Sequence, residues 1–375
     1  MILLDVLLDP YNYPFWILII AIIAGVIAII SRPLSTFAKF VYPNAKYEAI
    51  GNPFVKEKEL DSIIESKDIS SLKETINMLK DYNISGNDTF TIQKSLDDSF
   101  IQTINMMRKD SSKKMNDFYD VYLEKLDILI IKNTLKLKIE GKTIDQEKIK
   151  EAILPKTKEL LQKIFNAEKT NLPAILKEYG FNNETIEAIS EEKPDFLKID
   201  TAISKHIINR FKQTKVPYKC EQAKQRFIKT MTDIINIKTI LRAKQLNYNE
   251  ESCKNLFIGE GQEIAPWKYN ELVTLESVSQ VISNLQGTSY YDTLKNSIEE
   301  YNKEKSTQIL EVALDKFFLR FVKELSTQNY ISIGPTIRFI ISKEFEIMNL
   351  KIIAKGVSES LSPDLIKRYV VKEIN

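Results

Sequence analysis

With 375 residues, 43% of them hydrophobic, the chain exceeds what one ordinary core serves and carries enough apolar material for two or three domains. Ten Gly and twelve Pro are too few for a turn-rich β architecture or a low-complexity chain, and the two cysteines, Cys220 and Cys253, exclude a disulfide scaffold and read as free thiols. Fifty-three basic residues stand against 51 acidic ones, a net charge of +2 without a basic stripe interleaved with aromatics, so no nucleic-acid partner is expected.

The first element is an apolar run from Phe15 to Ile30 without a charged residue, with Tyr11, Tyr13 and Trp16 at its leading edge. As a helix it spans about 24 Å, close to a hydrocarbon core, and aromatic residues favour the interface. A cleaved signal peptide wants a basic start and a small-residue cleavage site; here Asp5 and Asp9 precede the run and Ser31-Arg32-Pro33 follows it. Phe15, Trp16 and Ile30 therefore mark a membrane anchor in contact with the lipid bilayer. Arg32, Lys39 and Lys46 beyond it place the bulk of the chain on the cytoplasmic face of the cell membrane.

From residue 34 onward, apolar residues recur at helical spacing. Asp68 and Ser306 are placed to cap helix starts. Residues 81–88 (DYNISGND) read as a loop, and so does Asn247–Pro266 with Gly259 and Gly261. Gly334-Pro335 marks a sharp break, with a helix beginning at Thr336.

A repeat organises the rest. Three segments open with an acid at Asp127, Asp233 and Glu346. Each has an apolar residue four positions later, a lysine five later (Lys132, Lys238, Lys351) and a basic residue nine later (Lys136, Arg242, Lys355). Asn236 and Asn349 occupy the third offset in the second and third segments, where the first has Ile130. The starts lie about 110 residues apart, which divides the chain into an anchor at 1–33 and helical repeat domains at 34–143, 144–250 and 251–375. On a helix, Asp233, Asn236, Ile237, Ile240 and Lys244 fall on one core-facing stripe. Buried acids and amides need partners, so the signature is expected to tie neighbouring helices or loop backbone to the repeat helix.

Catalytic constellations do not emerge. Gly259-Glu-Gly261 lacks the length and the Lys-Ser/Thr of a phosphate loop. His206 is the single histidine and gives no zinc spacing with the distant cysteines; it reads as a satisfied or surface residue. Glu250-Glu251 and Glu299-Glu300 lack the histidines of a carboxylate di-metal bundle. Glu311 and Asp315 share a helix face with Lys316 and Arg320 nearby, which reads as a solvated or ion-paired surface. No cofactor or metal is expected.

Ala45-Lys-Tyr-Glu-Ala49, Asn236-Ile-Lys-Thr-Ile-Leu-Arg-Ala-Lys244, Glu311-x-x-x-Asp315, Gly334-Pro335 and Glu346-Ile-Met-Asn-Leu-Lys-Ile-Ile-Ala-Lys-Gly356 follow one another in an order that resembles the C subunit of archaeal A-type ATP synthases. The eukaryotic relative in that family is the d subunit of the vacuolar ATPase. The likeness runs from about Tyr42 to the C-terminus. It implies an all-α fold in which three similar helical domains form a pseudo-threefold funnel, here preceded by the apolar helix. It also implies a non-catalytic central-stalk rotor component whose partners are the membrane rotor ring and the central-shaft subunits, passing torque between ion flow and ATP synthesis. The apolar N-terminal segment and Ile130 depart from that pattern. A membrane-anchored helical scaffold for unrelated partners and a carboxylate- or lysine-based hydrolase are the competing readings.

Overall fold

The computed structural model describes residues 11–50, 55–146, 149 and 152–372. Every regular element among them is helical, with no strand. The first, α1 (Tyr13–Ile50), is a single helix of 38 residues, about 57 Å at 1.5 Å per residue. It continues past Ile30, through Pro33 and Pro43, although each proline removes a backbone hydrogen bond. Its two halves differ in surroundings. Most of the residues between Tyr13 and Ile30 are exposed, whereas Thr36, Phe40, Pro43, Asn44 and Tyr47 form a buried stripe at helical spacing.

Six long helices make the body. They are α4 (Thr89–Asp110), α5 (Asn116–Ile139), α9 (Phe196–Gln213), α10 (Glu221–Gln245), α16 (Thr307–Gln328) and α17 (Gly334–Ser358). They pair as three hairpins through the turns 111–115, 214–220 and 329–333. α5 packs on α9, α10 on α16, and α17 back on α4, so the hairpins close into a ring. Aromatic side chains fill two of the junctions. Phe118 and Tyr122 of α5 meet Phe211 of α9 edge to face, and Phe227 of α10 stacks on Phe318 of α16. Burial of each large apolar side chain contributes about 1.5–3 kcal/mol, so the junctions are held by packing first.

Short helices dress the ring: α2 (Glu57–Ile64), α3 (Ile69–Asn77), α6 (Pro155–Asn166), α7 (Leu172–Glu178), α8 (Asn183–Ser190), α11 (Glu250–Lys254), α12 (Pro266–Thr274), α13 (Val278–Asn284), α14 (Tyr291–Lys295), α15 (Ile298–Glu304) and α18 (Pro363–Tyr369). α6 folds back on α5, α12 and α13 on α10, and α18 on α17. α2 and α3, near the start of the chain, pack on α17 near its end.

Local chemistry explains the boundaries. Asp68, Asp88, Asn182, Asn249 and Ser362 accept a hydrogen bond from a backbone N–H in the first turn of the helix each precedes. Ser306 stands at the start of α16 without a side-chain cap bond. Residues 81–88 contain no helix. Inside Asn247–Pro266, read from sequence as a loop, Asn249 caps the five-residue helix α11; a single capped turn is too short to leave a periodic signal. α17 begins at Gly334 rather than Thr336, with Pro335 in its first turn. A Cβ on Gly334 would stand 2.8 Å from the Asn329 carbonyl oxygen, so only glycine admits this close turn.

Candidate functional site

The repeat helix of the middle unit has the fullest set of polar ties. Asp233, Asn236, Ile237, Ile240 and Lys244 form one buried stripe on α10. The Asp233 carboxylate accepts from the backbone N–H groups of Gln262 (2.9 Å), Glu263 (2.7 Å) and Ile264 (3.0 Å), and from the Tyr290 hydroxyl (2.8 Å). Asn236 accepts from the N–H of Ile258 (3.1 Å) and donates to the carbonyl of Gly259 (2.9 Å). Lys244 donates to the carbonyl of Val273 (2.6 Å). A segment without long helices thus has its backbone groups satisfied by one helix. Gly261 lets it approach, since a Cβ there would lie 1.7 Å from Asp233 Oδ1. Burial pushes the Asp233 carboxyl above the usual carboxylate range, against the opposing pull of its donors.

The other two repeat helices use the same positions. On α5, Asp127 accepts from the N–H groups of Ile153 (2.7 Å) and Leu154 (2.9 Å), and Lys138 donates to the Phe165 carbonyl (2.8 Å). On α17, Asn349 donates to the carbonyl of Val371 (2.7 Å) and accepts from its N–H (2.9 Å). Glu346 accepts from Lys343 (2.6 Å) and from the Tyr82 hydroxyl. Ile130, standing where the others have asparagine, lines a cleft of about 360 Å³ between α4 and α5. Burial raises the Asp127 and Glu346 carboxyls as well.

The lysine five positions after each acid points the other way, across a hairpin junction. Lys132 of α5 reaches Ser204 Oγ (3.1 Å) and Asp200 (3.8 Å) of α9. Lys238 of α10 pairs with Asp315 of α16 at 2.6 Å, and Lys351 of α17 with Asp97 of α4 at 2.7 Å. The ring therefore carries one such contact at each of its three junctions. The basic residue nine positions after the acid adds to two of them. Arg242 grips Glu311 with two guanidinium nitrogens, Nε and Nη2, and Lys136 lies over the Phe196 ring at 4.9 Å. Lys355 pairs, among the described residues, with Glu359 just past the end of its own helix, at 2.7 Å. A further tie reaches past α4: Tyr122 and Lys125 of α5 both bind Glu344 of α17.

Glu311 and Asp315 are thus ion-paired, but with α10 rather than with Lys316 and Arg320 on their own helix; α10 lies against that face. The sequence missed Asp97, Asp200, Tyr82, Tyr290 and Lys138. An acid in the first half of the helix preceding each repeat helix was the available signal for the first two. His206 is buried and stacks on Phe181 with ring centroids 4.8 Å apart, its Nε2 3.6 Å from Glu124. Burial raises the Glu124 carboxyl, but His206 and Arg210 together hold it below its ordinary value. Cys220 and Cys253 are free and buried, and burial pushes the Cys220 thiol up to about 11. Phe15 and Trp16 meet edge to face at 5.7 Å on α1, where Ile30 is exposed. Among the described residues no group of three or more His, Cys, Asp or Glu is arranged to hold a metal ion.

These ties stiffen a closed ring and provide no convergent reactive groups. Known proteins match the chain over nearly its whole length. It is similar to the C subunit of the A-type ATP synthase of Methanocaldococcus jannaschii, 28% identical over 369 residues, which covers 92% of this chain and 90% of the relative. It is similar also to that of Methanobrevibacter smithii, 29% identical over 357 residues (93% and 92%). The corresponding Pyrococcus abyssi protein is 25% identical over 355 residues (89% and 90%). The family model for the ATP synthase (C/AC39) subunit matches residues 43–369, a stretch that takes in all six helices of the ring and their ties, and the chain belongs to that family.

Proposed function

We propose that the chain is the central-stalk subunit of an A-type ATP synthase, a non-catalytic part that joins the membrane rotor ring to the central shaft and passes torque between them. The observation that carries this reading is the closed ring of six helices with a charged or polar contact at every hairpin junction. A torque adaptor must resist shear between its parts. Packed aromatic junctions supply the strength, and the directional bonds fix the register of each helix against the next. In this reading the three hairpins with their short helices are the three domains of a funnel, and the repeat signature holds each domain together and to its neighbour. Phe15–Ile30 spans the bilayer, and the basic residues after it keep the ring on the cytoplasmic side.

The test is titration of the full chain, held in detergent micelles, with the purified central-shaft subunits, the mass of the complex being read by light scattering after size exclusion. A one-to-one complex is expected. A folded helical chain that binds no shaft subunit at low or physiological salt overturns the proposal in favour of an anchored scaffold with other partners.

A further inference from the structure

Glu311 and Asp315 turn toward α10, which leaves Lys316 and Arg320 of the same helix without a carboxylate. Neither forms an ion pair among the described residues. One turn apart on α16, they line a recess of about 220 Å³ between α14, α15, α16 and α18. Arg320 Nη2 donates to Thr293 Oγ1 at 3.0 Å, which holds the guanidinium along one wall. Lys316 is half-buried and has no hydrogen-bond partner among the described residues. A third cation, Arg368 of α18, binds Glu300 and Glu304 of α15 and so fixes the last helix against the opposite wall.

The lining is cationic over an apolar floor. Lys316, Arg320 and Arg368 stand against one acid, Glu300, and Ile309, Val312 and Ala313 form the base. Glu263, Asp292 and Glu324 line a neighbouring recess beyond Arg320, and none of them is ion-paired with it among the described residues. Two like charges one helical turn apart repel, and an anion between them removes that cost. The Asn296 amide and the Tyr369 hydroxyl also reach the recess, each without a hydrogen-bond partner among the described residues. An arginine fork beside a lysine point charge is the donor set that recognises phosphate oxygens.

We propose that this recess binds a small soluble phosphomonoester, with Lys316 and Arg320 on the phosphate oxygens and the organic body against Ile309, Val312 and Ala313. A phosphate close to doubly charged at neutral pH neutralises both cations at once. Its place in the fold favours a soluble ligand over a lipid, because Lys316 lies about 18 Å along α16 from the turn at 329–333, where α1 is bound. Bound there, the ligand ties α14 and α16 to α18 and holds the last helix of the chain against the third hairpin. The inference needs neither the shaft nor the rotor ring. The recess is assembled from four helices, so no local pattern announces it.

Equilibrium dialysis of the full chain in detergent micelles, at constant ionic strength, against phenyl phosphate, inorganic phosphate and phenol tests this. Phenyl phosphate is expected to bind one to one and more tightly than inorganic phosphate, and phenol not at all. Lys316→Gln and Arg320→Gln each weaken binding about tenfold, since each removes a charged donor and neither residue belongs to the ties of the ring. Lys303→Gln, on the exposed face of α15, removes the same charge outside the recess and leaves binding unchanged. Hydrogen exchange gives the place without any variant: phenyl phosphate is expected to raise protection in residues 291–304 and 363–369 and to leave α5 as it was. No binding of phenyl phosphate at about 10 mM overturns the proposal. So does equal weakening by Lys303→Gln, which marks unspecific attraction to charge, or protection spread over the whole chain. Protection of the same two segments by phosphatidylcholine vesicles containing one third phosphatidylglycerol, with no phenyl phosphate present, overturns the soluble ligand and gives the recess to a lipid headgroup.

Discussion

Replacing Asp233 by Ala removes one acceptor from three backbone N–H groups and the Tyr290 hydroxyl. The residue is 0% exposed, so water has no route to the orphaned donors. Each buried donor left without a partner costs about 1–3 kcal/mol. The burial that raises the Asp233 carboxyl shows that holding it ionised is itself costly, so its removal returns part of that sum. A net loss of about 3 kcal/mol follows, felt first in residues 258–264 rather than in the ring. Native-state hydrogen exchange reads it directly: protection of the Gln262, Glu263 and Ile264 amides falls about a hundredfold, the fold-change that such a loss implies. Gly261→Ala reaches the same end by another path, since its Cβ would stand 1.7 Å from Asp233 Oδ1. The two changes break one device, so the double variant exchanges little faster than either single one. Protection within a factor of two of the parent in Asp233→Ala, or full additivity with Gly261→Ala, refutes the reasoning.

Arg242→Ala removes the half-exposed guanidinium from the Glu311 carboxylate and costs about 1–3 kcal/mol in a urea titration; joint replacement of both residues by Leu recovers most of it, and a single variant that unfolds like the parent counts against the pair. Cys220 and Cys253 resist alkylation in the folded chain and react only on unfolding, because burial raises both thiols; rapid labelling at native conditions contradicts their placement. Burial raises the Asp127, Asp233 and Glu346 carboxyls, so the folded chain holds protons at a pH where the unfolded chain, with carboxyls near about 4, has released them. Their contribution is full below about pH 4 and is lost as pH rises through the raised folded values. Asp233→Asn cannot titrate, and melting curves taken across that window are expected to show a flatter dependence than the parent's.

Helical periodicity and the apolar run at the N-terminus are local patterns, and the chain by itself determined from them that the fold is all-α and led by an apolar helix. The buried stripe of Asp233, Asn236, Ile237, Ile240 and Lys244 was legible for the same reason: a helix converts residue spacing into direction. The partners of those residues were not legible. Asp233 meets Gln262 to Ile264 only because Gly261 lets the chain pass close, and Lys351 meets Asp97 from the other end of the sequence only because the ring closes. Glu311 and Asp315 have cations on their own helix, and tertiary packing gave them Arg242 and Lys238 instead. The tertiary structure alone decided that α1 runs on past Pro33 to bind the hairpin turns 214–220 and 329–333, since hydrogen bonds from Thr36 to the Tyr218 carbonyl and from Asn44 to those of Tyr330 and Ser332 leave no trace in spacing. Short-range order follows from backbone and side-chain geometry along one helix. Which helices meet is set by the packing of whole faces, and that is a property of the closed ring.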